Sequence, residues 1–536
     1  MEPFVHGTPV DRVTTTIDCT VVIPVFNRVE ALGPGIESLR AQTLGADRIE
    51  IIYVDDGSND GRTPLMIDQI VANTRNARAF HEPASGSPGR PRNVGLANAR
   101  GDYVFFADHD DWFDPEALER LVGWARQHDS DVVIGKVVAH GRRAVIPRIF
   151  RESRASIPAP EAMISLTPHK LFRRAFLLAH DITAPEGRLR LEDHHFVTHA
   201  YLHAQTISVY ADHVCYHHNH PGEGNFSRSA LDLEVYVASN REVIELIRHH
   251  TADDESLRDA MLHRPVLHEL LKKAGPRRMR PATADGEELK HQVLRDALTE
   301  SVPGAVIDRL GAFPRATAKA LRNDDPDAVR RIDARAAALS LRAELVELRA
   351  TGNIWTVDYR LVLDRDGVPV AFTRAAAHDD WCLDEETLPT ADADGPEPAA
   401  RLVAVDLEVL IASRRTSVQW HLPTTYSVAL AQRPHGRHFR RHPETATLTL
   451  TGTSTIDLTR VGGTQIGPGV WDIVLRAEIL GEDLRARLIV IDESALPTVF
   501  PEVLLSAPRA RAAARVTEAK RALAIEVSRV RRTGDL

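Results

Sequence analysis

Short apolar runs recur through the first part of the chain: TVVIPVF from Thr20, IEIIYVDD from Ile49, YVFFAD from Tyr103 and DVVIGKV from Asp131. Between them lie segments with apolar positions three and four apart, such as EALERLVGWARQH from Glu116. This alternation, from Thr20 to about Asp212, predicts parallel strands joined by crossover helices. The first three runs are nearly all apolar, as strands covered on both faces must be. Each ends in a polar cluster at its carboxyl end, the edge where open α/β sheets hold ligands.

From about Glu234 to Arg349 the periodicity turns helical, as in EVYVASNREVIELIRHH, which predicts a helical connector. From about Thr351 alternating runs such as IWTVDYRLVLD, RLVAVDLEVLI and LRARLIVID follow, separated by Asp-Gly, Gly-Gly and Pro-Gly pairs. They predict one antiparallel β-sandwich or two small ones. Ala507 to Arg532 carries eight Arg or Lys against two Glu and is expected to be a basic helix suited to an anionic surface. The expected order is an α/β domain over 1–233, a helical linker over 234–350, a β-sandwich region over 351–505 and the basic helix over 506–536.

A chain of 536 residues is too long for one ordinary domain. With 43% apolar and 26% charged residues it should fold as a soluble protein. A net charge of −9 argues against general nucleic-acid binding, so any polyanion site must be local. Cys19, Cys215 and Cys382 are odd in number and far apart, which fits a reducing cytoplasm better than a disulfide framework or a Cys-based zinc site. The first residues show neither a basic segment nor an apolar core, so neither export nor membrane spanning is expected.

The strongest chemical signal is Asp108-His109-Asp110-Asp111-Trp112, directly after YVFFA. Asp-x-Asp is a weak pattern by itself: Asp364-Arg365-Asp366 and Asp392-Ala393-Asp394 show it in expected turns. Leaving a buried strand, however, a carboxylate pair can hold a hard divalent cation that bridges phosphate oxygens. Helix capping explains Asp114 but not the three acids before it. At the end of IEIIYV, Asp55-Asp56-Gly57-Ser58 is suited either to a base or ribose, or simply to a turn. The stretch Gly86-Ser87-Pro88-Gly89-Arg90-Pro91-Arg92-Asn93 reads as an anion-binding loop or a rigid surface turn, and it lacks the Gly-Lys-Ser/Thr ending of a P-loop. Glu192-Asp193 precedes a helical segment, where a carboxylate can act as a general base or merely favour the helix start. Cys215-Tyr216-His217-His218-Asn219-His220 has a metal-like composition without the i, i+4 spacing, and a solvated or phosphate-facing loop is expected.

In this order, TVVIPVFN, VDDGS, GRPRNVGLANARGDYVFFADHDD and LEDHHF resemble the inverting glycosyltransferases of family 2, which have the GT-A fold. Within that family the likeness runs to wall-teichoic-acid poly(ribitol-phosphate) N-acetylglucosaminyltransferases, through the S-P-G-x-P-R-N loop, a helical linker and a β-rich C-terminal trimerisation region. The resemblance implies a GT-A type, mostly parallel sheet, a nucleotide-diphosphate sugar donor such as UDP-GlcNAc, and Mn²⁺ or Mg²⁺. It implies that Pro24 and Phe26 line the uracil pocket, that Asp55 or Asp56 reads the base, and that Arg92 and Asp108 approach the nucleotide. Asp110 would ligate the metal, and Asp193 of the Glu192-Asp193 pair would be the general base. His109 stands where the family usually has a small residue.

A polyanionic cell-surface polymer would be the acceptor, and basic residues of the connector, among them Arg258, His263 and Arg264, are candidates to bind it or form a solvated helix face. The expected setting is cytoplasmic, with peripheral contact at the inner face of the plasma membrane, as a homo-oligomer and a trimer by resemblance. The alternative is an inactive transferase-like protein that binds polymer through its β region. Retention of Asp110 and Asp193 favours the enzyme.

Overall fold

The computed structural model describes residues 16–27, 29–140, 147–187, 190–219, 232–279, 281, 283–374, 381–384, 386–388, 399–416, 418–432, 445–462, 466–496, 502–506, 509–517 and 521–529. Its first domain is a sheet of nine strands: β1 (Cys19–Val25), β2 (Ile49–Asp56), β3 (Ala77–Glu82), β4 (Tyr103–Phe106), β5 (Trp112–Phe113), β6 (Val132–Ala139), β7 (Arg154–Ile157), β8 (Leu171–Arg173) and β9 (Ile207–His218). Among the described residues, seven α-helices accompany them: α1 (Leu32–Arg40), α2 (Thr63–Ala72), α3 (Gly89–Asn98), α4 (Ala117–Gln127), α5 (Ala159–Ala162), α6 (Arg174–Ala179) and α7 (Glu192–His203).

The apolar runs form the parallel part of this sheet, in the order β3-β2-β1-β4. Val21, Val22, Ile52 and Val104 are fully buried there, which accounts for strands without polar alternation. In register, Val25 of β1 lies beside Asp55 and Val22 beside Phe106. The segments leaving β1, β2 and β4 therefore emerge side by side.

The other half is mixed. The three-residue β8 runs antiparallel to both β4 and β6, β9 runs parallel to β6, and β5 pairs antiparallel with β9. Antiparallel pairing of β8 with β4, and parallel pairing of β9 with β6, bring the start of β8 and the end of β9 to the same edge as the end of β4, delivering side chains that the apolar pattern does not reveal.

The helical region starts at α8 (Leu233–His250), capped by the Asp232 side chain accepting from Val235 N, and ends with the helix Pro326–Ala338. The β region begins at Leu339, earlier than expected from the sequence, with the strand Leu339–Thr351. Leu, Ala, Glu and Arg in this strand favour helix, but Leu339, Leu341, Ala343 and Leu345 point inward at period two and pairing with Ile354–Arg365 decides the outcome. Strand pairs in this region are antiparallel except where Ala343 and Glu344 meet Leu488 and Ile489, a parallel junction between two sub-sheets.

The expected C-terminal basic helix is corrected: Arg509–Val516 and Leu523–Arg529 are paired antiparallel strands. Ala510, Ala512 and Ala514 are buried while Arg511 and Arg515 are exposed and Ala513 is partly exposed, so the pattern has period two in spite of alanine's helix propensity. Residues 507–508, 518–520 and 530–536 of that segment lie outside the described residues. Among the described residues, no helix is long and apolar enough to cross a membrane.

Candidate active site

The tips of β1 and β2 form one rim. Pro24 is buried beside Val54, while Phe26, just past the strand, is 46% exposed. Asn27 N donates to Ser58 Oγ (2.9 Å), and Asn27 Oδ1 accepts from Asn59 N (2.9 Å) and Asp60 N (3.2 Å). The two buried acids that end β2 have separate duties. Asp55 accepts from Ser58 N (3.1 Å) and lies 3.2 Å from His81 Nδ1, while Asp56 accepts from Ser85 N (2.9 Å) and Gly86 N (3.3 Å). Gly57 between these turns has φ +69°, and a Cβ there would come within 2.3 Å of Ala84 N.

The expected anion-binding loop is largely helix: α3 begins at Gly89, so Arg92 and Asn93 stand in its first turns. A Cβ on Gly89 would lie 2.0 Å from Pro185 O, so glycine lets the helix start against the segment that leads to α7. Arg92 is buried, with its guanidinium 3.6 Å from Asp108 Oδ1 and 3.7 Å from Glu192 Oε1. Its Nε and Nη1 are buried without hydrogen-bond partners, so donors remain beside the acids for a ligand to use.

Asp108, Asp110 and Asp111 bring carboxylate oxygens within 4.8 Å of one another. The sheet supplies their neighbours. His169, just before β8, puts Nε2 3.1 Å from Asp108 Oδ2, and Tyr216 on β9 accepts from Asp108 N (2.9 Å). His218 Nδ1 is 3.0 Å from Asp111 Oδ2, and Asn219 N donates to Asp111 Oδ1 (2.7 Å). Cys215 to His218 thus belong to β9, with Cys215 and His218 buried, rather than to a solvated loop; His220 lies outside the described residues. Burial pushes the Asp110 carboxyl up, Asp111 and Asp108 add to this, and His109 opposes it. A buried carboxylate beside two others fits a hard divalent cation, which would offset their repulsion with oxygen ligands.

Glu192 and Asp193 occupy the first turn of α7, after Leu191 in the left-handed region at φ 58°. Burial and the neighbouring Asp193 raise Glu192 to about 7 against the opposing pull of Arg92. Lys170 is fully buried and held down at about 7 by desolvation, with Asp193 acting in the opposite direction, and it donates to Thr167 O. His169 and Lys170 carry no motif in the sequence, and Tyr216 and His218 lie in the tract expected to be a loop; the pairing of β8 and β9 brings all four here.

The helical region touches the same turn. His194 Nδ1 is 4.0 Å from Glu269 Oε1, and Glu269 in turn pairs with Arg264 (2.7 Å) and accepts from the Tyr236 hydroxyl. Of the proposed acceptor residues, Arg258 is held by Asp259 at 3.1 Å, whereas His263 and Arg264 line a cavity of about 280 Å³ with Arg148, Arg151 and His268.

Residues 20–177 match the sequence model of glycosyl transferase family 2, and residues 233–333 match that of the glycosyl transferase TarS linker domain. The chain is 31% identical over 232 residues to the poly(ribitol-phosphate) beta-glucosyltransferase of Bacillus spizizenii, covering 43% of this chain and 36% of the relative. It is 33% identical over 201 residues to the poly(ribitol-phosphate) beta-N-acetylglucosaminyltransferase TarS of Staphylococcus aureus, covering 37% of this chain and 35% of TarS. The matched segments thus span about a third of these relatives' length.

The crystal structure of S. aureus TarS 1–349 in complex with UDP-GlcNAc superposes with a TM-score of 0.53 at 26% identity, covering 59% of this chain and 91% of that one. A crystal structure of S. aureus TarS covers 96% of this chain and 86% of its own at a TM-score of 0.54 and 18% identity, and shows the same order of α/β, helical and sheet-rich regions. The expected GT-A-like architecture and likeness to family 2 glycosyltransferases are borne out.

Proposed function

We propose that this chain is a metal-dependent inverting glycosyltransferase that moves N-acetylglucosamine from UDP-GlcNAc to a hydroxyl of an anionic cell-wall polymer of the teichoic-acid type. The carrying observation is Arg92, which joins the Asp108 cluster to the Glu192-Asp193 turn. The TarS complex with UDP-GlcNAc supports the donor, and the relatives named for poly(ribitol-phosphate) support the acceptor.

In this reading, Pro24 and Phe26 flank the base, Asp55 reads it, and Asp56 holds the 85–86 turn in place. Asp110 holds Mn²⁺ or Mg²⁺, with Asp108 beside it; the cation would offset charge on the leaving diphosphate. Arg92, itself buried, adds fixed donors for the same oxygens. Asp193 takes the proton of the acceptor hydroxyl, which attacks the anomeric carbon opposite the departing diphosphate and inverts it. Burial and the neighbouring Asp193 raise Glu192, which reduces the second negative charge beside that base. His263 and Arg264 face the acceptor's phosphates, and Arg264 connects that cavity to α7 through Glu269 and His194. The reaction runs on the cytoplasmic face of the membrane, where nucleotide sugars are made, and the β region mediates self-association.

A panel of UDP- and GDP-sugars incubated with Mn²⁺ or Mg²⁺, then with poly(ribitol-phosphate) and an uncharged polyol as acceptors, tests the reading. UDP release that rises with the phosphate polymer and UDP-GlcNAc is expected. Its absence for every donor and acceptor would overturn the proposal.

A further inference from the structure

Away from the carboxylates, α7 and α8 bring three imidazoles together. His199 and His203 lie four residues apart on α7, hence on one face, and His250 ends α8. Ring centroids are 5.1 Å apart for His199 and His203, 5.3 Å for His199 and His250, and 4.9 Å for His203 and His250. One ring nitrogen from each lies within 4.8 Å of the others. We infer that His199, His203 and His250 form a nitrogen-ligand site for a transition-metal ion of the zinc class, clipping the linker's first helix to the helix that bears Asp193.

Three observations carry this assignment. The donor set is three imidazoles from two packed helices, which suits zinc-class ions rather than Mg²⁺ or Ca²⁺. His250 Nδ1 is 2.9 Å from Leu246 O, a bond that fixes its proton there and leaves Nε2 as the lone-pair nitrogen; metal-bound histidines are commonly oriented in this way. The rings are also open enough for an ion to enter: His250 is exposed, and His199 and His203 are partly exposed.

Tetrahedral Zn–N bonds of about 2.0–2.1 Å put ligand nitrogens roughly 3.3 Å apart. Closing from within 4.8 Å therefore asks for rotation of rings of which one is exposed and two are partly exposed. Water completes the coordination. His195, a further turn back on α7 with its Nδ1 buried and unpartnered, stands behind this cluster rather than in it.

The test uses the full chain in excess Mg²⁺, so that the carboxylate cluster does not compete. Co²⁺ is titrated first for its visible spectrum, then Zn²⁺ against a chelating dye, with melting temperatures recorded in both metal and chelator. One equivalent of Co²⁺ with the intense bands of low-coordinate nitrogen ligation is expected, together with a Zn²⁺-dependent rise in melting temperature of at least about 2 °C.

Both signals should vanish in the double variant His203→Gln/His250→Gln, melt unchanged in chelator, and persist in Asp110→Asn. No bands in the unmodified chain, undiminished binding in the double variant, or binding lost in Asp110→Asn would each overturn the site. The spectrum of the unmodified chain decides the matter even if the double variant folds poorly.

Discussion

The Arg92 guanidinium stands between Asp108, at 3.6 Å, and Glu192, at 3.7 Å, joining the end of β4 to the first turn of α7. Its flat fork faces both acids, at ion-pair distance, while Nε and Nη1 make no hydrogen bond within the protein. A lysine would retain the charge but not the geometry. Arg92→Lys is therefore expected to lower kcat/KM by roughly 10²-fold, the scale of losing a fixed donor to developing charge. Steady-state UDP release across donor concentrations measures this, and an unchanged kcat/KM would remove Arg92 from the site.

Asp110 and Asp193 should fail in different ways. Asp110 is buried among carboxylates suited to a cation, whereas Asp193 lies in the α7 turn beside Lys170. Asp110→Asn is expected to weaken metal-dependent binding of UDP-GlcNAc. Asp193→Asn should leave that binding within about threefold and lower transfer by roughly 10²-fold or more. Calorimetry of donor binding beside a transfer assay separates the two, and full transfer by Asp193→Asn would end its assignment as the base.

Glu192 gives the folded chain a pH dependence. Its acid is raised from 4.5 to about 7 in the fold, so the folded state holds the proton more tightly than the unfolded chain. The resulting stabilisation is fully present below pH 4.5, is lost between about 4.5 and 7, and is absent above. This corresponds to roughly 3 kcal/mol over the window. Glu192→Gln removes the titration, so its melting temperature relative to the unmodified chain should climb from pH 5 to pH 8. A pH-independent difference would refute the raised acid.

Gly89 and Gly123 form a matched pair. A Cβ at Gly89 meets Pro185 O at 2.0 Å, whereas one at Gly123, within α4, meets nothing within 4 Å. Gly89→Ala is expected to cost about 1–3 kcal/mol and to disturb Arg92, one turn away. Gly123→Ala should stabilise by about 0.5–1 kcal/mol. Denaturant melts of both report the contrast, and equal effects would contradict the close approach.

The acids at the ends of β2 and β4, and the pair opening α7, were legible because apolar runs and helical periodicity locate the ends of elements. Arg92 was legible as chemistry but not as helix, since its Gly- and Pro-rich setting reads as loop. His169 and Lys170 were hidden by β8, whose three residues carry no periodicity and whose place comes from pairing with β4 and β6. At 509–516 the alternation of alanine and arginine was present, but alanine signals helix as readily as it fills a tight sheet face.

The β region supplies a last expectation. Val346, Ile354 and Tyr426 lie on it with 54%, 48% and 39% of their surface exposed, and the strand Thr424–Gln432 bearing Tyr426 pairs with only one neighbour among the described residues. Exposed apolar side chains on a sheet that also has an open strand edge favour association with a second copy. Light scattering of the full chain should give a multiple of 59.3 kDa, while a chain ending at Ala338, before the first strand of this region, should be monomeric. Charged replacements at Ile354 and Tyr426 should lower the mass of the full chain in the same way without removing transfer to a short acceptor. A monomeric full chain would leave these side chains without the role assigned to them.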